Sequence, residues 1–126
     1  MSMFASLLAG LFLFAIQGLL LQTAVALTGD PAPRAGRAFV TAALAALLAS
    51  MGAAGWGCTF GLVVSVFSKT LASLMSVFVA VSITAAVYRS RLWLTGGHAL
   101  VVAALHHLMA WATAALLWGL IRLWPL

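Results

Sequence analysis

The sequence predicts an all-α membrane protein, a bundle of four transmembrane helices joined by short loops. Hydrophobic residues make up 66% of the chain and the mean hydropathy is +1.23, whereas soluble domains contain roughly 45 to 50% apolar residues. The 126 residues include six basic side chains and one acidic side chain. Nearly all of these charges fall in short breaks between long apolar runs, as they do in multi-pass membrane proteins.

The first helix is predicted over residues 3–27, an uncharged run longer than the about 20 residues that cross the hydrocarbon core. No Lys or Arg precedes this run, so we expect a retained membrane span rather than a cleaved signal peptide. Residues 28–37 then gather two prolines, two glycines and three charges. This composition predicts a short polar loop, with the second helix beginning near Ala38.

Two further spans must fit within residues 38–88, where Lys69 is the only charge. The turn between them could lie at the glycines around Trp56 or at Lys69 itself. We favour the first position, because glycines weaken a helix and tryptophan is common at membrane interfaces. The second and third helices are therefore predicted over 38–54 and 59–88, which leaves Lys69 inside the third helix.

The last helix is predicted over residues 98–123, between a Gly-Gly pair and Pro125. With four spans, four of the arginines share one side of the membrane, namely Arg34, Arg37, Arg89 and Arg91. The positive-inside rule makes that side cytoplasmic and places both termini outward, in a bacterial inner membrane. The single basic residues and pairs act as topology signals in this interpretation, so we expect no nucleic-acid partner.

The scarcity of acidic residues excludes several classes of function. Asp30 is the only acid and lies in a predicted loop, so paired-carboxylate catalysis and proton coupling through a membrane-embedded carboxylate are both unavailable. Cys58 is the only cysteine, which excludes an intrachain disulfide and a CxxC redox pair. We expect no enzyme and no metal centre.

A stripe of small polar residues along the predicted third helix is the main candidate for an ion pathway. It comprises Ser65, Lys69, Ser73 and Ser76, spaced by three or four residues. A lysine in the bilayer interior is costly and usually marks a pathway or a bound anion. The alternative is that Lys69 extends its charge to the interface or lies at the turn itself.

Histidines and amides are the other polar candidates. His98, His106 and His107 all lie on the predicted fourth helix, and no two of them have the i, i+4 spacing that clamps a metal. Haem or pigment binding through His106 would need a second copy of the chain to supply the opposing ligand. Gln17 and Gln22 are the only amides, and we expect a polar network between helices through these side chains.

Small residues recur at helical spacing and predict close helix packing in lipid. The positions are an alanine stripe on the second helix and two small-xxx-small pairs: Ala38, Ala42, Ala45, Ala49 and Ala53; Gly57 and Gly61; Ala115 and Gly119. Together these features predict a small non-catalytic subunit of a homo-oligomer or a larger membrane complex. The alternative prediction is a homo-oligomeric channel or carrier for a small anion that uses Lys69.

Overall fold

The computed structural model describes residues 3–123, and these residues form six helices and no strand. The helices are α1 (Met3–Ala15), α2 (Gln17–Leu27), α3 (Ala35–Cys58), α4 (Phe60–Phe67), α5 (Lys69–Leu92) and α6 (Gly96–Leu123). The predicted all-α class is confirmed for this part of the chain. Pro125, which was expected to stop the last helix, lies outside it.

Three helices, α3, α5 and α6, are each long and apolar enough to cross a membrane. The pair α1 and α2 passes the same test only as one broken span, because the two helices meet at a bend of 41°. The structure therefore supports three spans, or four if the bent pair is one span. These apolar helices are compatible with an integral membrane protein.

The bend at Ile16 differs from the expectation of one continuous helix over 3–27. Neither proline nor glycine lies at this position. Instead, the side-chain Nε2 of Gln17 donates to the carbonyl oxygen of Leu13 at 3.0 Å. A side chain that bonds a carbonyl one turn earlier competes with the regular helix ladder, and such insertions accompany sharp bends.

Helices α2 and α3 form a tightly packed hairpin. A Cβ added to Gly18 would lie 3.0 Å from both Cα and N of Phe39, so the two backbones approach as closely as only glycine allows. The rings of Phe14 and Phe39 meet edge to face at 5.3 Å. Gln22 Nε2 donates to the carbonyl of Pro33 at 2.8 Å, which ties α2 to the loop before α3.

The predicted alanine stripe on the second helix is confirmed at four of its five positions. Ala38, Ala42, Ala45 and Ala49 are at most 6% exposed, whereas Ala53 is half-buried. The helix itself is longer than expected at both ends. It begins at Ala35, where Ala38 N donates to Arg34 O at 2.8 Å in the first turn, and it continues to Cys58 instead of ending at Ala54.

The expected third helix, 59–88, is two helices separated at Ser68. Ser68 has an extended backbone, and its hydroxyl accepts from the backbone N–H of Leu71 at 3.1 Å, which is the N-cap bond that starts α5. Between Cys58 and Ser68 the chain forms the short helix α4. The two positions weighed for the turn thus flank one connecting segment, and Lys69 lies at a helix end and not inside a helix.

Trp56 holds this connecting segment together. Its indole stacks on Phe60 with 6.1 Å between the ring centroids, and its Nε1 donates to the carbonyl of Ala72 on α5 at 3.4 Å. A Cβ on Gly61 would lie 2.8 Å from the carbonyl oxygen of Trp56. A larger residue at position 61 would therefore push α4 away from the end of α3.

Burial is concentrated in particular parts of α5 and α6. The buried side chains of α5 lie near its end, at Thr84, Val87 and Tyr88. Those of α6 lie in its first half, at Ala99, Val102, Ala103 and His106. No residue of 69–83 or 107–123 is buried. These long apolar segments need lipid or another polypeptide to cover them.

Candidate functional site

A polar contact between helices joins Gln17 at the start of α2 to His106 on α6. The Nε2 atom of His106 lies 2.8 Å from Oε1 of Gln17. His106 is only 6% exposed, and Gln17 is half-buried. Two of the predicted polar candidates are therefore joined by a hydrogen bond between two helices, at the bend between α1 and α2.

The bonds of Gln17 fix the tautomer of His106. Because Nε2 of Gln17 donates to Leu13 O, the atom that faces His106 is the carbonyl oxygen Oε1. A carbonyl oxygen can only accept, so His106 must donate from Nε2 and carry its proton there. A haem or pigment bound through this nitrogen would first have to displace Gln17, since a metal needs the unprotonated lone pair.

His107 and Trp111 extend the cluster along α6. The ring of His107 lies 6.4 Å from that of His106 and 6.0 Å from that of Trp111, both edge to face. His107 is half-buried and Trp111 is 50% exposed. Imidazole and indole rings thus contact one another along α6. His107 and Trp111 already belong to the segment of α6 that has no buried residue.

The remaining histidine and amide lie elsewhere. His98 is exposed at the start of α6, where its backbone N–H donates to Oγ1 of Thr95 at 3.4 Å. Gln22 bonds the carbonyl of Pro33 and acts within the hairpin of α2 and α3. Among the described residues, no group of three or more His, Cys, Asp or Glu side chains could hold a metal ion.

The candidate ion pathway does not lie on one helix. Ser65 belongs to α4, where its hydroxyl donates to Leu62 O at 2.8 Å, whereas Ser73 and Ser76 lie on α5. Lys69 is exposed as the first residue of α5. The helix break at Ser68 therefore separates Ser65 from the other polar positions that the sequence placed on a continuous stripe.

The two small-residue pairs also differ from each other. Gly57 lies near the end of α3 and Gly61 lies in α4, so the expected GxxxG pair is not on one helix face. Ala115 and Gly119 do share a face of α6. Ala115 is exposed, and a Cβ added to Gly119 would meet nothing within 4 Å.

Comparison with known proteins adds no relative. No model of a protein family, no curated protein and no solved structure matches this chain.

Three structural features were missed at the level of sequence, namely two contacts within the connecting segment and one pairing between helices. Ser68 had a recognisable signal, since a serine before an apolar helix is a common N-cap. Trp56 was identified only as an interface residue, although its indole bonds α5. The pairing of Gln17 with His106 had no signal in a single sequence, because the two residues are separated by 89 positions.

Proposed function

We propose that this protein is a non-catalytic, multi-pass membrane protein that serves as a structural or accessory subunit of a homo-oligomer or a larger membrane complex. In this proposal the bent pair α1 and α2 is one span, which gives four. The observation that carries it is the second half of α6. Residues 107–123 include no buried residue, yet they present the small pair Ala115 and Gly119 on one face.

Small residues on an uncovered helix face favour a helix partner over lipid. Glycine in a helix interior costs about 0.8 to 1.0 kcal/mol relative to alanine. Lipid chains gain nothing from the missing side chain, whereas a second helix can approach closely and gain van der Waals contact and hydrogen bonds. The space beside Gly119 is unused by the described part of this chain, as the absence of any atom within 4 Å of an added Cβ indicates.

The absence of reactive groups supports the non-catalytic part of the proposal. Asp30 is the sole acidic residue of the chain, so no carboxylate can orient a histidine and also act as a base. The most buried histidine, His106, bonds an amide that cannot activate it. Four arginines near helix ends support an inner-membrane location with both termini outward: Arg34, Arg37, Arg89 and Arg91.

Self-association can be tested by filling the small face of α6. The variant Gly119→Leu places a large side chain where a partner backbone would approach, and it should reduce disulfide-independent cross-linking in nanodiscs at least severalfold. Gly10→Leu is the matched control, because Gly10 on α1 also has nothing within 4 Å of an added Cβ. Equal cross-linking of both variants and the wild type would remove the α6 face from the proposal.

A channel or carrier for small anions is the alternative proposal, and it has less support. Its motive was a lysine within a helix, but Lys69 lies at the exposed start of α5. A lysine there can reach the interface without a compensating ligand. Chloride or fluoride flux into liposomes that is present in the wild type and lost in Lys69→Met would favour this alternative over the subunit proposal.

A further inference from the structure

A groove of about 540 Å³ lies where the end of α5 meets the start of α6. Its volume falls within the about 300 to 1,000 Å³ of ligand sites in proteins. One face of α5 lines it with Ser82, Arg89 and Ser90, and Trp93 lines it directly after the end of this helix. Three alanines, Gly96 and Leu100 line the rest, and the small size of the alanines and the glycine helps to leave the groove open.

The chemistry of this groove is cationic. The guanidinium of Arg89 reaches towards the start of α6, since its Nη1 would lie 3.9 Å from a Cβ on Gly96. The hydroxyls of Ser82 and Ser90 are on the same lining. Residues 44–104, the compact unit that contains the groove, include three basic residues and no Asp or Glu. No carboxylate of this unit can therefore neutralise Arg89.

The position of the groove indicates where the neutralising charge comes from. It lies at the end of α5, a helix long and apolar enough to cross a membrane, so it falls near the level of the lipid headgroups. Trp93, which ends α5 in a left-handed conformation, is 84% exposed. Exposed tryptophans at span ends are typical of the membrane interface.

We propose that this groove binds the phosphate of an anionic phospholipid. Arg89 supplies charge-assisted hydrogen bonds to the phosphodiester, Ser82 and Ser90 supply hydroxyl donors, and Trp93 packs against the glycerol region. Basic pockets between transmembrane helices are known to suit anionic headgroups. The site is independent of the proposed subunit role, because it requires neither a second copy of the chain nor the face of α6 that carries Gly119.

The test is native mass spectrometry of the full chain in detergent with equal amounts of phosphatidylglycerol and phosphatidylcholine. The wild type should retain phosphatidylglycerol preferentially, and Arg89→Gln should weaken that retention about fivefold. Arg122→Gln is the matched control, because Arg122 is also an exposed arginine beside a tryptophan, 5.1 Å from the Trp118 ring. An equal loss in both variants would show attraction by charge alone and overturn the proposal.

A second variant distinguishes the effect of the groove's shape from the effect of its positive charge. Ala86 is an exposed lining residue, so Ala86→Leu should fill the groove and keep every cation and the fold. It should reduce phosphatidylglycerol retention as much as Arg89→Gln does. Unchanged retention in Ala86→Leu, or binding of inorganic phosphate as strong as that of the lipid, would contradict the assignment to a lipid headgroup.

Discussion

His106 Nε2 lies 2.8 Å from Gln17 Oε1, and this bond joins the bend between α1 and α2 to the helix α6. Gln17 uses both ends of its amide, because its Nε2 also bonds the Leu13 carbonyl across the bend. The amide thus connects a local distortion of the backbone with a contact between distant parts of the sequence. Removing the Gln17 amide should therefore change both the bend and the contact with His106.

The pair should show energetic coupling in a double-mutant cycle. Gln17→Leu removes the Oε1 acceptor that faces Nε2 of His106, and His106→Leu removes the donor that faces this amide oxygen. Hydrogen bonds between membrane helices contribute about 0.6 to 2 kcal/mol. We expect the double variant to lose less unfolding free energy than the two single variants lose in sum, and the difference should be of that size. Strictly additive unfolding free energies in SDS titrations would contradict the bond.

The close approach of α2 and α3 should make Gly18 intolerant of any side chain. Gly18→Ala places a methyl 3.0 Å from backbone atoms of Phe39, which cannot move aside as a side-chain end can. Overpacking of this kind costs about 1 to 3 kcal/mol. Gly10→Ala is the control and should be neutral or stabilising by up to about 1 kcal/mol, because its surroundings are open and alanine favours helix. Equal unfolding midpoints for the two variants would refute the tight hairpin.

The N-cap bond at Ser68 should contribute measurably to the free energy of unfolding, and Ser65, three residues earlier, provides the control. Ser68→Ala removes the acceptor for Leu71 N–H and should cost about 1 kcal/mol, whereas Ser68→Asp should retain most of the stability. Ser65→Ala changes only a bond from a hydroxyl to Leu62 O and should stay within about 0.5 kcal/mol. A larger loss at Ser65 than at Ser68 would argue for one continuous helix through position 68.

Topology can be read from cysteine labelling, because Cys58 is exposed and is the only cysteine of the chain. A membrane-impermeant maleimide should reach Cys58 from outside the cell. In a Cys58→Ser background, Gly36→Cys should be labelled only in inside-out vesicles, and Gly36 has room for the new side chain. The proposal has one span, α3, between Gly36 and Cys58. Labelling of both positions from the same side would contradict it, because an even number of spans would then have to separate them.

The helix ends that carry charge or proline were predictable from sequence. The loop before α3 and the end of α5 both fall where residues 28–37 and Arg89 to Arg91 indicate a break. These signals are local, and burial of charge in lipid is expensive enough to override other preferences. The helical class follows from the same constraint, since backbone groups in lipid must bond within their own segment.

The bend at Ile16 was not predicted, whereas the break at Ser68 adjoins the turn at Lys69 that was weighed and not favoured. At Ile16 the bend is accompanied by the bond from the Gln17 side chain to Leu13 O, and a single sequence carries no local signal for such a bond. At Ser68 the N-cap bond begins α5, but the glycines around Trp56 favoured the earlier position for the turn. The contact between Gln17 and His106 depends on how the chain folds back, which hydrophobic periodicity in a single sequence does not specify.

The mass of the complex extracted in mild detergent or nanodiscs tests the subunit proposal most directly. The proposal predicts a species that contains two or more copies of this chain, or one copy with another membrane subunit, and it predicts that Gly119→Leu reduces that species whereas Gly10→Leu does not. A strictly monomeric protein with no co-purifying subunit would contradict it.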